Sequence, residues 1–168
     1  MDVLYRRCAG LDVHQAQVTA CIRVTPESGL PQAWVREFET TPAGLAALRD
    51  WLVGHDVWYA AMEGTGVYWL PVFTVLEAAG IDLTLCNAHH VKNVPGRKTD
   101  KSDAAWLAQL MASGLLRKSF VPPAAVRQLR ELTRARVHRV EDRSRVVNTM
   151  HRLLERAGLT LCSVVSGI

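Results

Sequence analysis

Four acidic residues carry most of the chemistry this sequence can do: Asp12, Glu63, Asp100 and Asp103. Asp12 lies inside the apolar run Cys8-Ala-Gly-Leu-Asp12-Val-His14. Glu63 ends a second run, Val57-Trp-Tyr-Ala-Ala-Met-Glu63, directly before Gly64-Thr65-Gly66. Asp100 and Asp103 form a D-x-x-D pair within Lys98-Thr-Asp100-Lys-Ser-Asp103-Ala. An acid within a strand costs folding free energy unless it is paired, hydrogen-bonded or bound to metal. Hard divalent ions such as Mg2+ take carboxylate and water oxygens and keep positions open for a substrate phosphate. Two such ions, roughly 4 Å apart, can activate a nucleophile and stabilise the leaving oxygen in phosphodiester chemistry. The four acids therefore point to a site for two Mg2+ ions, with Mn2+ as a substitute. Asp12 is the natural bridging ligand, because a central strand holds it rigidly. Asp100 and Asp103, three residues apart, share a face if helical, and a cation between them would relieve their repulsion. Singly, each acid has another reading. Asp12 could be a turn acid, Glu63 a strand-end charge, Asp100 a solvated loop acid and Asp103 a helix-start residue favoured by the macrodipole. The metal-site argument rests on all four together.

Positioning these acids falls to an α/β framework. Val3–His14 and Gln17–Val24 read as strands rich in Val, Ile, Thr and Cys, joined as a hairpin. A turn cluster then leads to a third strand at Gln32–Glu39. Thr41 is the expected N-cap of a helix whose first turn holds Pro42, with Leu45, Leu48, Trp51 and Leu52 at helical spacing. Val57–Met62 is nearly all apolar, as in a central strand buried on both faces. A helix over Gly66–Ala79, a strand at Ile81–Cys86, a short helix or loop at Asn87–Gly96 and a helix from Ser102 to Leu115 follow. Right-handed crossovers would place strands four and five parallel to strand one, on the side away from strands two and three. Asp12 and Glu63 then become neighbours. This is the order of a ribonuclease H-like mixed five-stranded sheet flanked by helices, expected over residues 1–120.

After Val121-Pro122-Pro123 the character changes, with no further Gly or Pro until Gly158. Val126, Leu129, Leu132, Val137, Val140, Val147, Met150 and Leu154 form an irregular apolar stripe. One or two long helices, or a helical hairpin, are expected over 121–158. Thr133, Arg136 and Arg143 interrupt the stripe, which weakens a coiled-coil reading. Residues 159–168 are apolar and uncharged, and read as the start of a truncated region of a longer protein.

A hydrophobic share of 49% and a charged share of 21% over 168 residues are globular values and exclude bulk disorder. No apolar run approaches the length of a membrane span and no signal-peptide pattern is present, so no membrane partner and a cytoplasmic, nucleoid-associated location are expected. The four cysteines lack C-x-x-C or zinc-ligand spacing and read as reduced, packed residues. Residues 1–116 carry nine Lys+Arg against twelve Asp+Glu, whereas residues 117–156 carry eleven against four. That basic helical arm fits a nucleic-acid partner. Arg127, Arg130, Arg134, Arg136, Arg139, Arg143 and Arg145 can bind phosphates, although Arg also suits inter-helix salt bridges. Lys92, Arg97, Lys98 and Lys101 can grip phosphates near the acid pair or simply balance its charge. With few partners for the arm within the chain, a homodimer or higher homo-oligomer is expected. His14 should share the sheet face of Asp12 and could reach a metal or the attacking group. Thr65 reads as a helix cap, Tyr68 and Trp69 as core residues that could alternatively stack on bases, and His89-His90 as a polar loop.

Three segments, Gly10-Leu-Asp12-Val-His14, Met62-Glu63-Gly-Thr-Gly66-Val-Tyr68-Trp and Gly96-Arg-Lys-Thr-Asp100-Lys-Ser-Asp103-Ala, resemble the N-terminal half of IS110-family transposases in order and approximate spacing. The resemblance spans residues 5 to 160 or so. It implies a RuvC-like domain of ribonuclease H fold with a D-E-D-D set at Asp12, Glu63, Asp100 and Asp103. It also implies Mg2+-dependent cutting and strand exchange of insertion-sequence DNA, together with a structured guide RNA that bridges donor and target. Family members add a serine nucleophile in a separate C-terminal domain. No stretch here matches its motif, neither Ser163 nor Ser166 is assigned that role, and an incomplete enzyme is expected. Two other readings compete. An actin-like ATPase or sugar kinase also opens with Asp on a first hairpin, but Val13-His14-Gln15 stands where a Gly-rich phosphate turn is needed. A catalytically silent RNA- or DNA-binding and dimerisation module would leave the acids structural.

Overall fold

The computed structural model describes residues 3–64, 66–94 and 102–159. Between Phe120 and Val121 the chain divides into two compact units. The first holds β1 (Arg7–Val13), β2 (Gln17–Val24), β3 (Gln32–Glu39), α1 (Pro42–Gly54), β4 (Tyr59–Glu63), α2 (Trp69–Ala78), β5 (Asp82–Cys86), α3 (Ala88–Lys92) and α4 (Asp103–Ala112). The strands form one sheet in the order β3-β2-β1-β4-β5. β1 is antiparallel to β2 and parallel to β4, and β4 is parallel to β5. This is the ribonuclease H-like arrangement expected from the alternation of elements.

The two central strands are buried because nearly all their side chains are small or apolar. Cys8, Ala9 and Leu11 on β1 and Ala60, Ala61 and Met62 on β4 have no exposed surface. β3 lies at the edge and buries only Phe38. α1 buries Leu45, Leu48 and Leu52, and α2 buries Val72, Phe73 and Leu76. The two helices pack against each other, and against β3 and β5 respectively.

Element boundaries depart from the sequence expectation in four places. β1 begins at Arg7, not Val3, because the N–H groups of Leu4 and Tyr5 instead donate to Ala112 O beyond the end of the strand. β4 begins at Tyr59, not Val57, and extends one residue further to include Glu63. α2 begins at Trp69 rather than Gly66, where a left-handed φ of 57° is incompatible with helix. α4 stops at Ala112, two residues before Gly114 takes φ 66°. The Asn87–Gly96 stretch contains the five-residue α3, N-capped by the Asn87 side chain, which accepts from His89 N–H.

α4 lies directly over β1, and one residue makes that possible. A Cβ on Gly10 would fall inside the backbone of Ala104 and Ala108 and against Leu107. Cys8, two residues earlier on the same face, donates its thiol hydrogen to Ala108 O at 3.4 Å and packs with Met111 and Ala112. Cys21, paired with Gly10 across β2, packs against Ala104 and Ala108. The face toward the helix is thus lined with glycine, alanine and cysteine, residues small enough for backbone-to-backbone packing.

The second unit contains α5 (Ala124–Arg156), a single uninterrupted helix of 33 residues with no buried residue. The hairpin alternative is therefore corrected. Thr133, Arg136 and Arg143 interrupt the apolar stripe but carry no helix-breaking geometry, and neither Gly nor Pro occurs within the span. No described helix is long and apolar enough to cross a membrane.

Gly10→Ala should lower unfolding free energy by about 2 kcal/mol or more, because the helix must shift to admit the methyl group. Urea denaturation followed by circular dichroism checks this, and an unchanged midpoint would contradict the close-approach account.

Candidate functional site

The last paired residues of the parallel strands β1 and β4 are Leu11 and Met62. Asp12 and Glu63 each come next. Residues in register on adjacent strands project from the same face, with strands roughly 4.8 Å apart. Their carboxylates therefore emerge side by side at the C-terminal edge of the sheet. Successive alternate residues share a face, so Asp12 lies on the side of Gly10, the face that α4 covers.

The position of α4 along β1 follows from the same contacts. Cys8 lies under Ala108 to Ala112 and Gly10 under Ala104 to Ala108. Two strand residues advance roughly 6.7 Å, equivalent to about four helical residues. One further step carries Asp12 beneath the start of the helix. There Ser102 caps by accepting from Ala105 N–H, and Asp103 is the first helical residue. Asp12, Glu63 and Asp103 thus lie toward the same end of the fold, where the positive end of a helix dipole favours negative charge.

Asp12 is partly shielded, with 28% of its side chain exposed, and its Oδ2 lies 3.2 Å from His14 Nε2. When Nε2 carries the proton, His14 donates to the carboxylate and fixes its orientation. Glu63 is half-buried, and β5 places Cys86 opposite it. The Cys86 thiol donates to Met62 O at 3.2 Å. Burial, reinforced by the Glu63 charge, pushes its pKa up to about 12. Burial raises Cys8 to about 12 as well. Cys8, Cys21 and Cys86 are free and buried, as expected of packed thiols; Cys162 lies outside the described residues. With these sulfurs held protonated, this edge of the sheet presents the carboxylate oxygens of Asp12 and Glu63 beside the His14 imidazole, and oxygen donors suit Mg2+ or Mn2+.

Asp100, Arg97, Lys98 and Lys101 lie outside the described residues, as do Thr65, Ser163 and Ser166. Among the described residues no group of three or more His, Cys, Asp or Glu stands close enough to hold a metal ion. The structure thus sets two of the four acids side by side and a third at the adjoining helix start. Lys92 is the last residue of α3.

Two cavities open at this edge of the sheet. One, of 500 Å³, is lined by His14, Gln15, Gln17 and Tyr68. The other, of 420 Å³, is lined by Gly64, Trp69, Leu85, Asn87 and Ser119. Tyr68 is 40% exposed, so its core assignment is corrected: it precedes α2 and projects from the turn. Trp69 is half-buried, its ring perpendicular to Phe73 at 5.5 Å. Sequence reasoning missed the second cavity, whose only visible signals were an aromatic after the Gly64–Gly66 turn and an Asn at a strand end.

All seven candidate arginines of the arm lie on α5. At 100° per residue, Arg127, Arg130, Arg134 and Arg145 project from one side, and Arg136, Arg139 and Arg143 from another. Arg127 donates to Pro122 O at 2.8 Å, and Arg145 pairs with Asp142 at 3.0 Å. The others are exposed.

Comparison with known proteins places these features. The family model for IS110-type DEDD transposases, described as a transposase, matches residues 9–158. No curated protein sequence matches the chain. Among solved structures, RuvC of Thermus thermophilus is 13% identical, covering 67% of this chain and 99% of its own, with a TM-score of 0.49. A Fowlpox virus resolvase, solved with Holliday junction DNA, is 8% identical over 65% of this chain and 97% of its own, with a TM-score of 0.43.

The proximity of Glu63 to Cys86 has a measurable consequence. In the native protein Cys8 and Cys86 should resist aromatic disulfide reagents at pH 8. Unfolded thiols ionise near 9.0, whereas the folded ones hold their protons to about 12. The folded state therefore binds more protons between these values, and stability should fall as pH rises from 9 toward 12. Glu63→Gln should move the onset of Cys86 labelling to lower pH, still well above that of a free thiol. Equal onsets would separate the two groups.

Proposed function

The chain belongs to the IS110-type DEDD transposase family, and from that premise we propose that it cuts and transfers DNA strands at insertion-sequence ends with two Mg2+ ions held by Asp12, Glu63, Asp100 and Asp103. The observation that carries this reading is the side-by-side emergence of Asp12 and Glu63 from parallel central strands. Two carboxylates placed so closely repel each other, and a divalent cation offsets that cost. When bound, the ions polarise the scissile phosphate and stabilise the leaving oxygen. Asp12 and Glu63, with the D-x-x-D pair Asp100 and Asp103, would hold the ions. His14, hydrogen-bonded to Asp12 Oδ2, would orient that carboxylate for a bound ion.

The rest of the chain binds the substrate. Lys92, Arg97, Lys98 and Lys101 hold phosphates beside the acids. The two arginine rows of α5 hold phosphates of DNA and of a structured guide RNA. Several apolar residues of α5, among them Leu129, Val140 and Met150, are half exposed or more, and we assign that surface to a homo-oligomer. Domain roles follow the same division: residues 1–120 catalyse, and the arm binds nucleic acid and assembles.

Mn2+ titration followed by electron paramagnetic resonance tests the metal role without relying on turnover. Asp12→Asn should weaken Mn2+ binding at least tenfold and reduce DNA cleavage by more than about a hundredfold, with an unchanged thermal melt. Undiminished Mn2+ affinity would sink the reading. Intact DNA binding that never responds to metal would leave a binding module.

Arg130→Ala with Arg134→Ala should weaken DNA binding and lower the slope of log K against log salt by about 2, close to 0.9 for each phosphate no longer neutralised. A slope that stays constant would make this row a structural feature of the helix. The same measurement on Arg136→Ala with Arg139→Ala shows whether the second row shares the load.

A further inference from the structure

We propose that the cavity walled by Trp69 is a subsite for one unstacked nucleobase of the DNA strand whose phosphate lies at the acids. The inference rests on the DNA-cutting reading above and adds to it a position where the strand is held. The cavity begins one residue past Glu63: Gly64 is in its lining, and Gly64 N–H donates to Cys86 O at 2.9 Å, closing the ends of β4 and β5 together. A base in the cavity therefore belongs to a nucleotide at or next to the one whose phosphate reaches Asp12 and Glu63.

Its chemistry matches a base better than a sugar or phosphate. Among the described residues lining it there is no Lys or Arg, and Leu85 and Cys86 supply its apolar part. The wall is Trp69, whose indole packs edge-to-face on Phe73 at 5.5 Å. An aromatic plane accepts any base by stacking, because every base has a π-face. The rim is polar. Asn87 Oδ1 is occupied by His89 N–H, which fixes the amide and leaves Nδ2 as a donor to an acceptor atom on a base edge. Ser119 is anchored by its own N–H on Leu85 O at 2.7 Å and contributes a hydroxyl to the lining. At 420 Å³ the space falls within the roughly 300–1,000 Å³ of small-molecule sites.

A reason for such a subsite follows from the geometry of the acids. They lie at the edge of the sheet under the start of a helix, and a phosphodiester within a stacked duplex is held in helical register. Turning one base out of the stack frees the backbone at that step to approach the carboxylates, at an unstacking cost that stacking on Trp69 offsets.

The test uses the full chain and gapped DNA duplexes carrying 5-iododeoxyuridine at successive positions, irradiated in the complex and mapped by mass spectrometry. Iodouracil cross-links to aromatic rings on which it stacks, so one position, or two adjacent ones, should cross-link to Trp69. Ala88→Met fills the cavity from its lining while leaving Trp69 and every acid unsubstituted. It should cut that cross-link about tenfold or more while leaving DNA affinity within about twofold, since phosphate contacts dominate affinity. Trp69→Leu should abolish the cross-link, with folding checked by circular dichroism. DNA that binds but cross-links elsewhere, or an Ala88→Met protein that cross-links like the parent, would overturn the subsite and leave the DNA reading standing. Failure to bind DNA at all, read by fluorescence anisotropy, would overturn both.

Discussion

The close packing of α4 on β1 at Gly10 is the constraint on which the candidate site depends. Helix–sheet packing normally separates backbones by the thickness of side chains. Here there is no side chain at the crossing point, and the neighbours are Ala104, Ala108, Cys8 and Cys21. Close approach leaves no room for sliding, so the register of the helix along the strand is fixed. That register, in turn, decides which end of α4 lies over Asp12. If α4 moved by one turn, Asp103 would shift by about 5.4 Å relative to the sheet, which exceeds the spacing of a two-metal site. A glycine with no chemistry of its own therefore sets the geometry of residues that have it.

The same packing explains the electrostatic character of the site. Small side chains let the N-terminal end of α4 approach this edge of the sheet, where the positive end of its dipole favours negative charge. Burial keeps the nearby thiols neutral, with Glu63 adding to the effect at Cys86. The negative charge is thus concentrated on oxygen atoms at one edge, and positive charge gathers elsewhere along the chain, chiefly on α5.

Much of this was legible in the residues, and the parts that were not have physical reasons. Apolar β4 between two helical patterns, together with the right-handed crossover, was sufficient to place Asp12 beside Glu63. The function of Gly10 was not visible, although a glycine within a strand marks a close backbone approach. Val3, Leu4 and Tyr5 continue the apolar pattern of β1 but are not strand, because their backbone is used to tie down the end of α4. Tyr5 instead stacks on Tyr59 at 4.5 Å. Gly66 looked like a helix start by spacing, but its positive φ delays α2 to Trp69 and exposes Tyr68. Periodicity reports an apolar face, and cannot tell whether the fold supplies anything to cover it. For the same reason the stripe on α5 was readable as helix and unreadable as hairpin or single rod.

The turn from Glu63 to Trp69 is where sequence economy is greatest. Gly64 and Gly66 serve the backbone: the first leaves space beside Leu85 and the second reverses the chain at φ 57°. Because that reversal is tight, the consecutive residues Tyr68 and Trp69 diverge, and each lines a different cavity. A helix that began at Gly66 would have turned both rings according to helical phase and placed them about 100° apart on one cylinder. The delayed start instead leaves Tyr68 on the turn and Trp69 on the first helical turn. An acid, two glycines and two aromatics in seven residues thus set a carboxylate next to two aromatic-lined cavities, provided the central strand keeps Glu63 in register with Asp12.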